Sequence, residues 1–166
     1  MKIAIVIASN NKNLALAKKL KNIAMDLGNE TQIIDLVEEN LPLYTPTTQE
    51  KLGIPHKVKD LHQTLTNSGG MIFVAPEYNG GIPPSLTSAI AWLSVSGEDW
   101  RGCFNGKPAA LATHSGGGGQ YVLLAMRTQL SYIGMNVVGR SVLTNGNKPL
   151  NPESAQEVIK QLVRWG

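Results

Sequence analysis

Gly70-Met71-Ile72-Phe73-Val74-Ala75-Pro76-Glu77-Tyr78-Asn79-Gly80-Gly81-Ile82-Pro83-Pro84-Ser85 is the stretch on which the fold turns. Its first six residues are almost continuously apolar rather than alternating, the pattern of a parallel strand covered on both faces. Turn residues follow at once. Pro83-Pro84-Ser85 is suited to open a helix, because proline has its φ preset and lacks an N–H that the first helical turn would leave unpaired. Behind it Leu86, Ala89, Ile90 and Leu93 recur at helical spacing. Strand, tight turn and helix in that order form the first part of a crossover unit.

The same order recurs in both directions along the chain. Lys2–Ala8, Pro108–Thr113 and Met135–Leu143 are further apolar runs, with a weaker one at Thr31–Val37. Helical patterns lie between them. Leu14, Ala17, Leu20, Ile23, Ala24 and Leu27 share one face, and Gly28 supplies a stop. Others run from about Lys57 to Asn67 and from Gln120 to Ile133, the latter ended by Gly134. A last one follows Asn151, a capping residue, with Val158, Ile159 and Leu162 turned inward. Five strand–helix alternations predict an α/β fold: a five-stranded parallel sheet, right-handed crossovers, and helices on both faces in three layers. One domain over residues 1–166 accounts for the length. Glu39–Pro55, with three prolines, reads as the longest irregular stretch.

Composition narrows the function classes. A hydrophobic share of 42% and a charged share of 16% suit a globular chain rather than a disordered one. No apolar run reaches the ~20 residues that span a membrane. The N-terminal run reads as a buried strand, not a signal peptide, because its charge and length are both small. The single cysteine, Cys103, excludes an internal disulfide and suits a reducing cytoplasm. A formal charge of +3 without a dense Lys/Arg cluster gives no nucleic-acid surface.

In a sheet of this kind, ligands bind beyond the carboxyl ends of the strands where strand order reverses. Three unusual loops should converge there. Ser9-Asn10-Asn11-Lys12-Asn13-Leu14 leads from a strand into a helix, whose unpaired N–H groups and dipole favour an anion, with Lys12 adding a charge. Either the loop binds a phosphate monoester, or Asn11 or Asn13 caps the helix. It lacks the glycine patterns of dinucleotide or nucleoside-triphosphate sites. Pro76-Glu77-Tyr78-Asn79-Gly80-Gly81-Ile82-Pro83 brackets a tight turn with glycines that permit positive φ, and Tyr78 offers an aromatic face. A planar heteroaromatic ring fits beside it; the plainer alternative is a strand-to-helix turn with a half-buried tyrosine. Ser115-Gly116-Gly117-Gly118-Gly119 concentrates backbone N–H groups for a close-lying ligand with negative charge, or serves as a flexible connector.

At these residues the chain resembles the NADPH-dependent FMN reductase family, a branch of the flavodoxin-like fold. Pro76-Glu77-Tyr78-Asn79-Gly80-Gly81-Ile82-Pro83, with Leu86, Ala89-Ile90 and Trp92-Leu93-Ser94 behind it, is similar to the family's P-E-Y-N-G-S-I-P block and the helix that follows. Gly106-Lys107-Pro108 with Ser115–Gly119 is similar to its second block, and Leu41-Pro42-Leu43-Tyr44 to its L-P-L-Y segment. The first loop is shorter than the family's G-S-x-R-x-x-S-x-N: Ser9 and Asn13 have counterparts, the Arg and second Ser do not, and Lys12 stands in for the cation.

The resemblance implies FMN, its phosphate at Ser9, Asn11, Lys12, Asn13 and Leu14. Its ring would lie along Pro76, Glu77, Tyr78, Asn79 and Gly80, with its pyrimidine side toward Ser115, Gly116, Gly117 and Gly118. It implies hydride transfer from NADPH or NADH through flavin N5 to a small acceptor (a quinone, azo compound, metal ion or free flavin), with no catalytic side chain. It also implies a homodimer or homotetramer. A flavodoxin-like electron carrier and a degenerate binding subunit are the competing expectations. His114 reads as a ligand contact or a hydrogen-bonded strand end, Cys103 and Trp92 as packed residues, and Tyr44, Trp100 and Arg101 as the rim of the substrate opening.

Overall fold

The computed structural model describes residues 1–166. Five parallel strands, β1 (Lys2–Ile7), β2 (Glu30–Asp35), β3 (Gly70–Val74), β4 (Pro108–His114) and β5 (Asn136–Thr144), form one sheet in the order β2-β1-β3-β4-β5. The chain moves outward from β1 to β2, then crosses back to β3, so strand order reverses between β1 and β3. All of β3 is buried, and β1 is buried from Ile3 on, as continuous apolar runs require.

Alternate residues of each strand feed two cores. Ile3, Ile5, Ile7, Ile72, Val74, Ala110 and Ala112 meet α1 (Lys12–Asp26) and α7 (Pro152–Arg164) on one face. Ala4, Val6, Met71, Phe73, Ala109 and Leu111 meet the other helices on the opposite face. Those are α2 (Leu36–Glu39), α4 (His56–Thr66), α5 (Pro84–Leu93) and α6 (Gln120–Tyr132), while α3 (Pro46–Leu52) adds no residue to that core. The fold is the expected three-layer, flavodoxin-like one. No helix is long and apolar enough to cross a membrane.

Several end signals act as read. Gly28 and Gly134 carry positive φ past α1 and α6, and the Asn151 side chain accepts the Ser154 N–H at 2.7 Å to cap α7. Two segments differ from the expectation. Asp35 ends β2 by accepting the Val37 N–H at 3.0 Å, so Leu36-Val37 open a helical turn rather than prolong the strand. Within Glu39–Pro55, Thr45 accepts the Thr48 N–H at 2.9 Å and Pro46 starts α3, a helix with no buried residue.

The β4–β5 register slips after Ala109: two residues of β4 there face four of β5. Arg127 of α6 reaches this bulge, its guanidinium donating to Val137 O (3.3 Å), Gly139 O (3.1 Å) and Ser141 Oγ (3.2 Å). The carbonyls that lose ladder partners thus gain a charged donor. Gly139 within the strand pattern is the sequence signal for it.

Candidate functional site

The three loops leave the carboxyl ends of β1, β3 and β4, which are neighbours in the sheet, and each is tied to the other two. Ser85 Oγ donates to Ala8 O at 2.8 Å, joining the β3 loop to the β1 loop. Glu77 Oε2 accepts the N–H groups of Tyr121 (3.0 Å) and Val122 (3.1 Å), joining the β3 loop to the start of α6. Asn13 closes the circuit. Its Nδ2 donates to His114 O at 3.0 Å and its Oδ1 accepts the His114 N–H at 2.8 Å, joining α1 to the end of β4.

A cleft of about 380 Å³ lies between the first two loops, lined by Ala8–Asn11, Val37, Tyr78, Pro84 and Ser85. Beside it α1 begins without a side-chain cap, and the N–H groups of Lys12, Asn13 and Leu14 have no partner within the chain. Asn11 has φ 57°, one of three non-glycine residues in the left-handed region. Such an end attracts anions by its dipole as well as its free donors.

The β3 loop folds back on itself. Tyr78 N–H donates to Gly81 O at 3.2 Å and Gly81 N–H to Tyr78 O at 2.9 Å, around Asn79 (φ 50°) and Gly80 (φ 75°). Two consecutive positive φ values make this the Asn-Gly type I′ turn. The turn leaves Tyr78 half exposed at the cleft.

In the third loop, Ser115 is buried and its Oγ accepts the Gly117 N–H at 3.2 Å. Gly119 (φ 71°) is required by the chain itself, since a Cβ there would stand 3.0 Å from Thr113 Cγ2 and 3.1 Å from Ser115 Cβ. Gly116, Gly117 and Gly118 differ: a Cβ on any of them meets nothing within 4 Å, and none has positive φ. No contact within the protein calls for glycine at those three positions.

The expected residues therefore separate by what they touch. Ser9, Asn11 and Tyr78 line the cleft; Lys12, next along the chain from Asn11, lines a neighbouring cleft. Asn13 and Glu77 hold backbone, Leu14 packs partly into the core beneath α1, and Pro76 is buried. Asn79 and Gly80 shape the turn, and Gly116–Gly118 are exposed. Ala8, Asn10, Val37, Pro84 and Ser85 were not singled out by their sequence. Of these only Ser85 carried a signal, as a hydroxyl beside two prolines at a helix start.

The expected rim is corrected. Trp100 and Arg101 lie in a short 3-10 turn leading into the first residue of β4, at the opposite edge of the sheet, with Arg101 stacked 4.2 Å over Trp100. Helix α5 carries the chain there, away from the loops. Tyr44 packs edge-on against buried Trp92 at 5.1 Å, and its hydroxyl donates to Gln49 Oε1. Cys103, fully buried, donates to Trp100 O at 3.2 Å, and burial pushes its thiol up to about 12. It is a packed residue. His114 pairs its Nδ1 with Thr144 Oγ1 at 3.0 Å.

Known proteins share the chain's sequence pattern and its fold. The family model described as NADPH-dependent FMN reductase matches residues 1–149. The chain is 30% identical over 146 residues to an uncharacterized protein of Mycoplasma pneumoniae, covering 86% of each. It is 30% identical over 126 residues to the quinone reductase of Escherichia coli (strain K12), which covers 74% of this chain and 65% of that one. Among solved structures, the flavoenzyme NAD(P)H:(acceptor) oxidoreductase FerB of Paracoccus denitrificans superposes with a TM-score of 0.78 at 20% identity, over 99% of this chain and 96% of its own.

Proposed function

We propose, from the premise that this chain belongs to the NADPH-dependent FMN reductase family, that it passes electrons from NADPH or NADH to a small quinone-type acceptor. Members of this family are FMN-dependent oxidoreductases with NAD(P)H as co-substrate, and the chain is one of them. The quinone follows the Escherichia coli relative, whose activity bears that name.

The observation that carries the reading is the run Gly116–Gly118. Glycine costs about 0.5–1 kcal/mol of folding entropy relative to alanine, and at these positions nothing inside the protein requires it. A flat ligand lying against the backbone does. The donor set beside the first cleft suits a phosphate: an uncapped helix start, Ser9, Asn11 and Lys12. One phosphate and one flat ring system describe FMN, and the residues fit it.

When bound, FMN accepts hydride and hands electrons on. The protein's part is binding and orientation. Ser9, Asn11, Lys12 and the N–H groups of Lys12, Asn13 and Leu14 hold the phosphate, while Asn13's amide keeps that helix start in register with β4. Pro76, Glu77, Asn79 and Gly80 fix the turn that sets Tyr78 beside the ring. Ser115 shapes the glycine turn, whose N–H groups face negative charge on the reduced cofactor. No side chain need donate or remove a proton. The half-exposed Tyr78 leaves the cleft open to a flat conjugated acceptor.

Tyr121, Leu124 and Tyr132 are exposed on α6, beside the glycine turn, and support a homodimer or homotetramer through that helix. One free cysteine supports a reducing compartment such as the cytoplasm. Protein purified with added FMN should show the absorbance of bound flavin and oxidise NADPH in step with reduction of a benzoquinone. Bound flavin without NADPH oxidation would make the chain a carrier instead. No bound flavin would end the proposal.

A further inference from the structure

A second cleft opens at the same sheet edge, on the other side of α1, with a volume of about 400 Å³. Lys12, Ala15, Leu16 and Lys19 form one wall, spaced so that all four share a face of the helix. His114 and Thr144, the last residues of β4 and β5, form the floor, and the turn running from Asn145 to Leu150 closes the far side. No Asp or Glu lines it. Neither lysine belongs to any of the chain's three ion pairs, so both cations border this space without counter-charge, Lys12 shared with the flavin phosphate and Lys19 belonging to this cleft alone.

The hydrogen bonds select the tautomer of neutral His114. Thr144 Oγ1 donates its one proton to Thr113 O at 3.1 Å, since a carbonyl can only accept. The same oxygen must then accept from His114 Nδ1–H at 3.0 Å. Neutral His114 is therefore protonated at Nδ1, which leaves Nε2 an acceptor, and Nε2 bonds to nothing within the chain. Its backbone is held by Asn13. The cleft thus offers Lys19 as its own cationic donor, Lys12 as one shared with the flavin phosphate, and one fixed acceptor nitrogen.

A phosphate monoester matches that set. Its second proton dissociates near about pH 6, so near that pH its monoanion offers anionic oxygens to the lysines and a hydroxyl to share with Nε2. Ala15, Leu16 and Leu150 give an apolar wall for whatever the phosphate is attached to. We propose that this second cleft binds the phosphate monoester of a small phosphorylated molecule, at a site separate from the flavin cleft. Two sources have that chemistry: the phosphorylated adenosine end of NADPH, and an unrelated phosphorylated metabolite.

The test is calorimetric titration of the protein at about pH 6, where the monoester keeps its hydroxyl, first without and then with saturating FMN, using inorganic phosphate, adenosine bisphosphate (the non-redox half of NADPH) and sulfate. Phosphate and the bisphosphate should bind in both states, and Lys19→Glu should weaken them by about tenfold, the loss of one charge-assisted hydrogen bond. Lys19→Gln should have a smaller effect, and FMN affinity should be unchanged in both variants. Lys19 is exposed and makes no hydrogen bond, so neither change threatens the fold. A bisphosphate that binds more tightly than phosphate assigns the site to NADPH; equal affinities assign it to another metabolite. Absence of heat with phosphate and bisphosphate alike, loss of the Lys19-dependent binding on adding FMN, or full affinity in Lys19→Glu would each overturn the site. Sulfate, which lacks the hydroxyl, should bind more weakly, and equal sulfate affinity would overturn the phosphate assignment. The start of α1 also takes phosphate in flavin-free protein, so the Lys19-dependent part of the binding is the measure of this site, and it is independent of the reductase reading because Lys19 lines the second cleft and not the first.

Discussion

Both polar atoms of the Asn13 side chain hold the backbone of His114, and the residue is 4% exposed, so alanine there would strand an N–H and a C=O with little access to water. Stranded buried groups cost about 1–3 kcal/mol each. Asn13→Ala should therefore lower the stability of the flavin-free protein by about 2–3 kcal/mol in urea titrations, within the range for lost buried hydrogen bonds. Asn13→Asp should recover only part of this, because it keeps the acceptor for His114 N–H and turns a carboxylate toward His114 O. A loss below about 0.5 kcal/mol, the level of an ordinary surface change, would mean that the clamp holds nothing. Cys103 gives a pH dependence. Burial raises its thiol from 9.0 to about 12, so the unfolded chain loses the proton first. This contribution to stability is whole below about pH 9 and is lost as pH rises toward about 12. Stability measured across that interval should fall less steeply in Cys103→Ala than in the parent; parallel curves would refute the assignment.

The elements show why some of the structure was legible in the residues and some was not. Continuous apolar runs bounded by turn residues define β1, β3 and β4, and capping at Asn151 and the glycine stops set helix ends. Helix α3 escaped that reading because it buries no residue, so periodicity was silent and only the Thr45-Pro46 start could betray it. The backbone-holding part of Glu77 and Asn13 is not legible in the residues, because their partners lie 44 and 101 residues away, where local pattern gives no hint. The glycine turn yields a prediction at this scale. Gly119→Ala must force a Cβ against Thr113 and Ser115 with φ at 71°, which should destabilise the flavin-free protein by about 1 kcal/mol or more. Gly117→Ala meets open space at ordinary φ and should leave that protein as stable or add about 0.4–1 kcal/mol through the unfolded chain. Its effect belongs to the ligand: FMN affinity, read by flavin fluorescence, should drop. Undiminished affinity would return this loop to the status of a connector.

Across the whole molecule, the reversal between β1 and β3 opens the sheet edge, and three hydrogen-bonded ties keep the loops there in a closed circuit. A ligand seated on such a circuit binds the folded chain and not the unfolded one, so it should stabilise the entire domain. FMN at a hundred times its dissociation constant adds about 2.7 kcal/mol, which for a domain of this length raises the melting temperature by roughly 5–10 °C. Riboflavin offers the same ring without the phosphate. If the ring rests on Tyr78 and the glycine turn while the phosphate rests on the start of α1, riboflavin at equal concentration should give a smaller shift. The difference between the two measures the phosphate loop alone. Lys12→Glu places a negative charge at that helix start, so it should erase most of the difference and leave the riboflavin shift nearly intact. Equal shifts for FMN and riboflavin in the parent protein would show that the phosphate lies elsewhere. The uncapped N–H groups of Lys12, Asn13 and Leu14 would then need another explanation.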